Sequence, residues 1–190
     1  MRAFELIAIL FINVIVMLQF SLLAPILPLE IKRRHIPQAF TGLIMASVCV
    51  GYLLCPQCIT SVFFPRFGRR KSALIGFIIM SSALLLYGLG YFIPDSHKRL
   101  YVAYSIITRL IEGIGFASTV TSLASLITQL FPHELGFAQS ARFLGAFSGT
   151  VLGVVAGACV FELLGYFGVF ISFSVVVFLT SFLVFAFEEH

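Results

Sequence analysis

Charge is scarce in this chain. Only 11% of its 190 residues are Asp, Glu, Lys or Arg, against 60% hydrophobic, and mean hydropathy is +1.08. Soluble domains average roughly a quarter charged, and a soluble core of this length could not hide so much apolar surface. An ordinary soluble protein is thereby excluded, and a polytopic membrane protein is the class that fits. The net charge of +4 gives no nucleic-acid signal, because the cations lie in short loops between apolar runs. There they set orientation and meet lipid headgroups. Cysteine is scarce too: Cys49, Cys55, Cys58 and Cys159 all fall inside apolar runs and form no disulfide framework. Cys55-Pro56-Gln57-Cys58 has the CxxC spacing of metal and redox sites, yet no partner ligands or aqueous edge accompany it. Small residues packing inside a membrane helix is the better reading. The sequence shows neither metal-spaced His, Asp and Glu nor a nucleophile–base constellation, so no enzyme, metal or cofactor is expected. A cleavable signal is not expected either, since the first apolar run outlasts one and lacks a small-residue cleavage site.

What is present is a series of apolar runs, each long enough for the ~20 residues a crossing needs. Six are readable, at about 4–29, 39–64, 72–93, 100–131, 137–161 and 165–187. Pro28 to His35 is expected to end the first and a basic turn around Gly68 the second. Pro94 to Arg99 closes the third, Phe131 to Glu134 the fourth, and Leu164-Gly165 separates the last two. With no long linker, residues 1–190 read as a single six-helix membrane domain. Six crossings place Arg2, Arg66, Arg69, Arg70, Lys71 and Arg142 on one side, against Lys32, Arg33, Arg34, Lys98 and Arg99 on the other. That bias hardly decides orientation. Tyr87, Tyr91, Tyr101 and Tyr104 flank the third loop as an expected interfacial belt.

Rotation within such helices is set by polar and small residues. In the fourth run Arg109 and Glu112 are one turn apart. Ionisable groups at membrane depth face a bundle interior or a wet path, and at i and i+3 they neutralise each other. A self-satisfied structural pair and a charge lining a polar path are both open. In the first run Asn13 and Gln19, with Ser21, are the polar interior candidates, and no acid stands at membrane depth there. Pro25 and Pro28 are expected to kink or end that helix. Gly145, Gly149, Gly153 and Gly157 repeat every four residues, a stripe that lets a neighbouring backbone approach closely.

Together these pieces resemble the amino-terminal half of a major facilitator superfamily transporter. Ser61-Val-Phe-Phe-Pro65-Arg66-Phe-Gly68-Arg69-Arg70 stands where that family has G-x-x-x-D-R-x-G-R-R. Arg109, Gly113, Gly115 and Ala117 meet its R-x-x-x-G-x-G-x-A. Gly149, Gly153, Val154, Gly157 and Ala158 stand against its antiporter pattern G-x-x-x-G-P-x-x-G-G. Within the superfamily, Ala24 to Glu30, Ser125 to Pro132 and Gly157 to Phe167 are similar to the vesicular amine and polyamine branch, solute carrier family 18. The resemblance implies an all-α integral membrane fold, one half of the major facilitator bundle, built from two inverted three-helix repeats. It implies that both termini and the basic loop are cytosolic. Arg66, Gly68, Arg69 and Arg70 would form a gating loop, and Arg109 would join a coupling network. Gly113, Gly115 and the four-glycine stripe would pack moving helices.

Two departures bear on activity. Pro65 replaces the acid that latches the two halves in the family, and Val16 stands where vesicular amine transporters carry a first-helix acid. The expected function is secondary transport of a small solute, a cationic amine by the branch resemblance, coupled to protons. The partners would be the lipid bilayer, the solute and a second six-helix half, supplied by the same chain, a second copy or other subunits. The alternative is a degenerate, non-transporting half-carrier serving as a structural subunit of a larger membrane complex.

Overall fold

The computed structural model describes residues 2–56 and 59–186; Met1, Gln57, Cys58 and residues 187–190 lie outside the described residues. The described chain is helical, with no strand. Helices fit lipid because they satisfy every backbone group internally. The helices are α1 (Arg2–Arg33), α2 (Ala39–Leu54), α3 (Phe64–Leu89), α4 (Lys98–Leu130) and α5 (Leu135–Ser181). A π-helical turn, Ile59–Phe63, precedes α3, and 3-10 turns follow α3 and α5 at Gly90–Phe92 and Phe182–Ala186. Four segments, 6–33, 64–92, 98–130 and 135–184, are long and apolar enough to cross a membrane, and α2 is shorter.

Contacts fix the directions. Gly145 lies against Leu10 and Gly157 against Leu22, so the first part of α5 runs parallel to α1. Arg34 at the end of α1 reaches Gly90 at the end of α3, so α1 and α3 are parallel. Beyond Gly165, Ser174 meets Ser81 and Val184 meets Arg70, antiparallel to α3. The 47-residue α5 therefore holds two opposed limbs, and the reversal falls at Gly165, whose φ of 68° and ψ of −174° suit glycine alone. α4 runs antiparallel to α3, through Ser118 on Ser72, and parallel to α2, through Phe116 on Tyr52. Gln19 with Glu112, and Ser81 with Ser174, are separated by the same 93 residues. That common offset relates α1 to α4 and α3 to the second limb of α5.

Several boundaries differ from the sequence expectation. α1 does not stop at Pro28 but passes both prolines and ends at Arg33. Its end is closed by a Schellman motif: Ile36 N–H bonds Ile31 O (3.0 Å), His35 N–H bonds Lys32 O (3.1 Å), and Ile31 and Ile36 share an apolar cluster. His35 takes the left-handed position, with φ 53°. The second run is not one helix to residue 64. α2 ends at Leu54, ahead of Pro56, which lacks an N–H and clashes with the preceding turn. Pro65 is the second residue of α3, directly after the π-helical turn, and the break comes at Gly68 (φ 77°). Tyr87 and Tyr101 do not face outward as a belt would: both are buried beneath arginines.

Candidate functional site

α4 carries Arg109 and Glu112 on the face turned toward α1. Arg109 Nη1 meets Glu112 Oε2 at 2.7 Å, and both side chains are 2% exposed. Gln19 on α1 donates its Nε2 to Glu112 Oε1 at 3.2 Å. The guanidinium lies over the Tyr87 ring of α3, 4.8 Å from its centroid. Three helices thus converge on one ion pair. A buried pair of this kind needs extra hydrogen bonds to offset desolvation. Here Arg109 Nε and Nη2, Glu112 Oε2 and Gln19 Oε1 make no hydrogen bond within the protein. Arg109 also borders a groove of about 450 Å³, whose walls include Phe20 and Ser21 of α1, Met45 and Cys49 of α2, and Thr150 and Val154 of α5.

Asn13 does not join this group. It is buried, but its Nδ2 bonds back to the Ile9 carbonyl of its own helix at 2.9 Å. Val16 is fully buried in the apolar cluster that also holds Ile12 and Met80. The glycine stripe faces α1: a Cβ on Gly145 or Gly157 would come within 2.9 Å of the Leu10 or Leu22 carbonyl oxygen, and Gly149 and Gly153 are tighter still. Gly113 abuts Val48 and Gly51 of α2, whereas Gly115 faces Gly76 of α3. In the basic turn Arg66 is exposed, Arg70 Nε bonds the Val184 carbonyl at 3.0 Å, and Gly68 O accepts Ser72 Oγ at 2.8 Å. Arg69 Nε is buried without a hydrogen bond. The turn is therefore tied to the end of α5, well away from Arg109.

A second buried arginine went unnoticed in the sequence, where it reads as an orienting loop cation. Arg34, 1% exposed, bonds Glu30 Oε1 through Nε at 2.6 Å and the Ile93 carbonyl through Nη1 at 2.8 Å. Its Nη2 reaches Gly90 O and Tyr91 O, Asp95 lies 3.2 Å away, and the guanidinium sits 4.2 Å from the Tyr101 ring centroid. The usable signal was Glu30 and Arg34 at i, i+4, visible only if the helix continues past Pro28.

The family profile described as Major Facilitator Superfamily matches residues 9–190. The chain belongs to that superfamily. Among its relatives, the human "MFS-type transporter SLC18B1" is 22% identical over 178 residues, covering 94% of this chain and 38% of the relative. The mouse protein of the same name is 21% identical over 150 residues, covering 79% and 32%. "Multidrug resistance protein 2" of Bacillus subtilis (strain 168) is 27% identical over 142 residues, covering 70% and 32%. The chain spans about a third of the length of these relatives. No solved structure matches it significantly. Membership in this superfamily and the long apolar helices make the chain an integral multi-pass membrane protein resembling the solute carrier 18 branch.

Proposed function

We propose that this chain is part of a secondary transporter that moves a small solute by alternating access, with Arg109, Glu112 and Gln19 as its coupling group. One observation carries the reading: a buried ion pair, bridged between α4 and α1, sits beside a groove bordered by four helices. Ionisable groups inside a membrane bundle mark solute or proton paths. Arg109 is the member of the pair that borders the groove, with Glu112 buried behind it, and loosening their pairing would link occupancy of the groove to helix movement. A small amine exchanged for protons is the substrate class in this reading, by likeness to the vesicular amine branch. A second six-helix half closes the groove, and the basic turn and both termini face the cytosol. As a carrier the chain makes and breaks no covalent bond.

Reconstituted vesicles with an imposed pH gradient, offered a panel of monoamines and polyamines, test the reading. Arg109→Ala should abolish uptake while the protein stays folded; unchanged uptake would remove Arg109 from the mechanism. A second reading, a non-transporting structural subunit, draws support from Pro65 and from Val16, whose site in the core holds no acid. It requires stoichiometric co-purification with other membrane subunits, and isolation as a free, transport-competent protein would refute it.

A further inference from the structure

We propose that the cleft between α2 and the start of α4 binds one anionic phospholipid, with an acyl chain in the cleft and the phosphate at Lys98 and Arg99. The cleft holds about 400 Å³, with Phe40 and Leu43 on one wall and Val102 and Ile106 on the other. It does not belong to the groove beside Arg109. α2 turns Met45, Ala46 and Cys49 to that groove but Phe40 and Leu43 to this cleft, on its opposite side. The cleft is therefore open toward lipid rather than toward the bundle centre.

Its mouth is cationic. Lys98 and Arg99 line it and are both exposed. Lys98 Nζ donates to the His35 carbonyl at 3.1 Å, which holds the ammonium across the cleft with two of its three donors still to place. The one carboxylate of the same loop, Asp95, is drawn to Arg34 at 3.2 Å. A second hollow, of about 480 Å³, is walled by Ser96, His97 and Leu100 with the same two cations, and gives a headgroup room. It overlies the start of the 33-residue α4, whose cap residue His97 makes no side-chain cap bond. The unpaired first-turn N–H groups add to the attraction for an anion there. An apolar slot at hydrocarbon depth beneath a cationic mouth matches a lipid with a net negative headgroup. A zwitterionic headgroup would bring its own cation against Lys98 and Arg99.

The chain has no tryptophan, so Phe40→Trp places a single fluorophore in the cleft. The protein is reconstituted in phosphatidylcholine bilayers carrying equal mole fractions of acyl-brominated phosphatidylglycerol or acyl-brominated phosphatidylcholine. Each cation near an anionic surface is worth about a fivefold preference, so the two should favour the brominated phosphatidylglycerol by about 25-fold in quenching affinity. Lys98→Gln with Arg99→Gln, in the same background, should bring the two quenchers level; both side chains are exposed, and circular dichroism checks the fold. Equal quenching before those changes would overturn the proposal. So would the same preference at Val175→Trp, an exposed site on the second limb of α5, because it would report general enrichment around the protein.

Discussion

Glu112→Gln tests the ion pair more sharply than any deletion, because it removes a charge while keeping shape. Wild-type Arg109 has one carboxylate contact, at 2.7 Å, and a tyrosine face 4.8 Å away. After the change an amide oxygen still faces Nη1, and the face of Tyr87, worth ~2 kcal/mol when desolvated, remains. Removing one partner of a buried pair costs about 3–5 kcal/mol, so the retained contacts place the expected loss at the lower end, about 3 kcal/mol. Replacing both partners by apolar residues is the control. Arg109→Met with Glu112→Met should be neutral or more stable by up to about 4 kcal/mol, since neither charge then needs solvation. Reversible unfolding in mixed micelles, followed by circular dichroism, gives both values and their coupling. A loss below about 1 kcal/mol for Glu112→Gln, or additive single and double variants, would refute the reasoning that a compensated buried pair is present. Uptake by the double variant then tests the role of the pair: a folded protein that no longer transports assigns the pair to transport, whereas a folded protein that transports normally removes the pair from the mechanism.

The packing sets further expectations. Gly153→Ala sets a Cβ against the Leu18 backbone and Ser21, and should lose about 1–3 kcal/mol by overpacking, measured in the same unfolding assay. Ser81 and Ser174 each donate to the other's carbonyl at 2.9 Å. Changing either to Ala should cost about 0.6 kcal/mol, the average for such bonds between membrane helices, and the double change should fall short of the sum. His35→Val should lose about 1–2 kcal/mol, because its position is left-handed, whereas His35→Gly should match or exceed the parent. Arg34→Met removes the bonds to the carbonyls of Gly90, Tyr91 and Ile93, and should speed amide exchange over residues 90–95 with little change near Arg109.

Much of the frame was legible from local spacing. Apolar runs located the helices, glycines at every fourth position marked the face that meets α1, and Arg109 with Glu112 at i, i+3 announced their pairing. What escaped depends on the third dimension. The Gln19 bond to Glu112 spans 93 residues, and no local pattern selects Gln19 over Asn13, which is equally buried but bonds its own helix. The prolines misled for a physical reason. A proline weakens one turn, while the tail of α1 beyond Pro28 is held by Glu30 with Arg33 and Arg34 and by the closing motif at His35. Tyr87 and Tyr101 read as interfacial by position along the chain, but each is needed beneath a guanidinium.

The two buried arginines make an internal comparison. Each pairs with a carboxylate on or next to its own helix turn, and each lies over a tyrosine ring contributed by another helix. At Arg34 every nitrogen is engaged, with carbonyls of the 90–93 turn completing the set. That is how a structural arginine looks where an unmade bond to a buried donor costs about 1–3 kcal/mol. At Arg109 Nε and Nη2 have no hydrogen bond within the protein, and Gln19 opposite keeps a buried oxygen without one. Two such omissions are a substantial fraction of a marginal stability. The arginine with fewer protein partners is the one beside the groove, which is where the proposed transport role would need a side chain free to exchange partners.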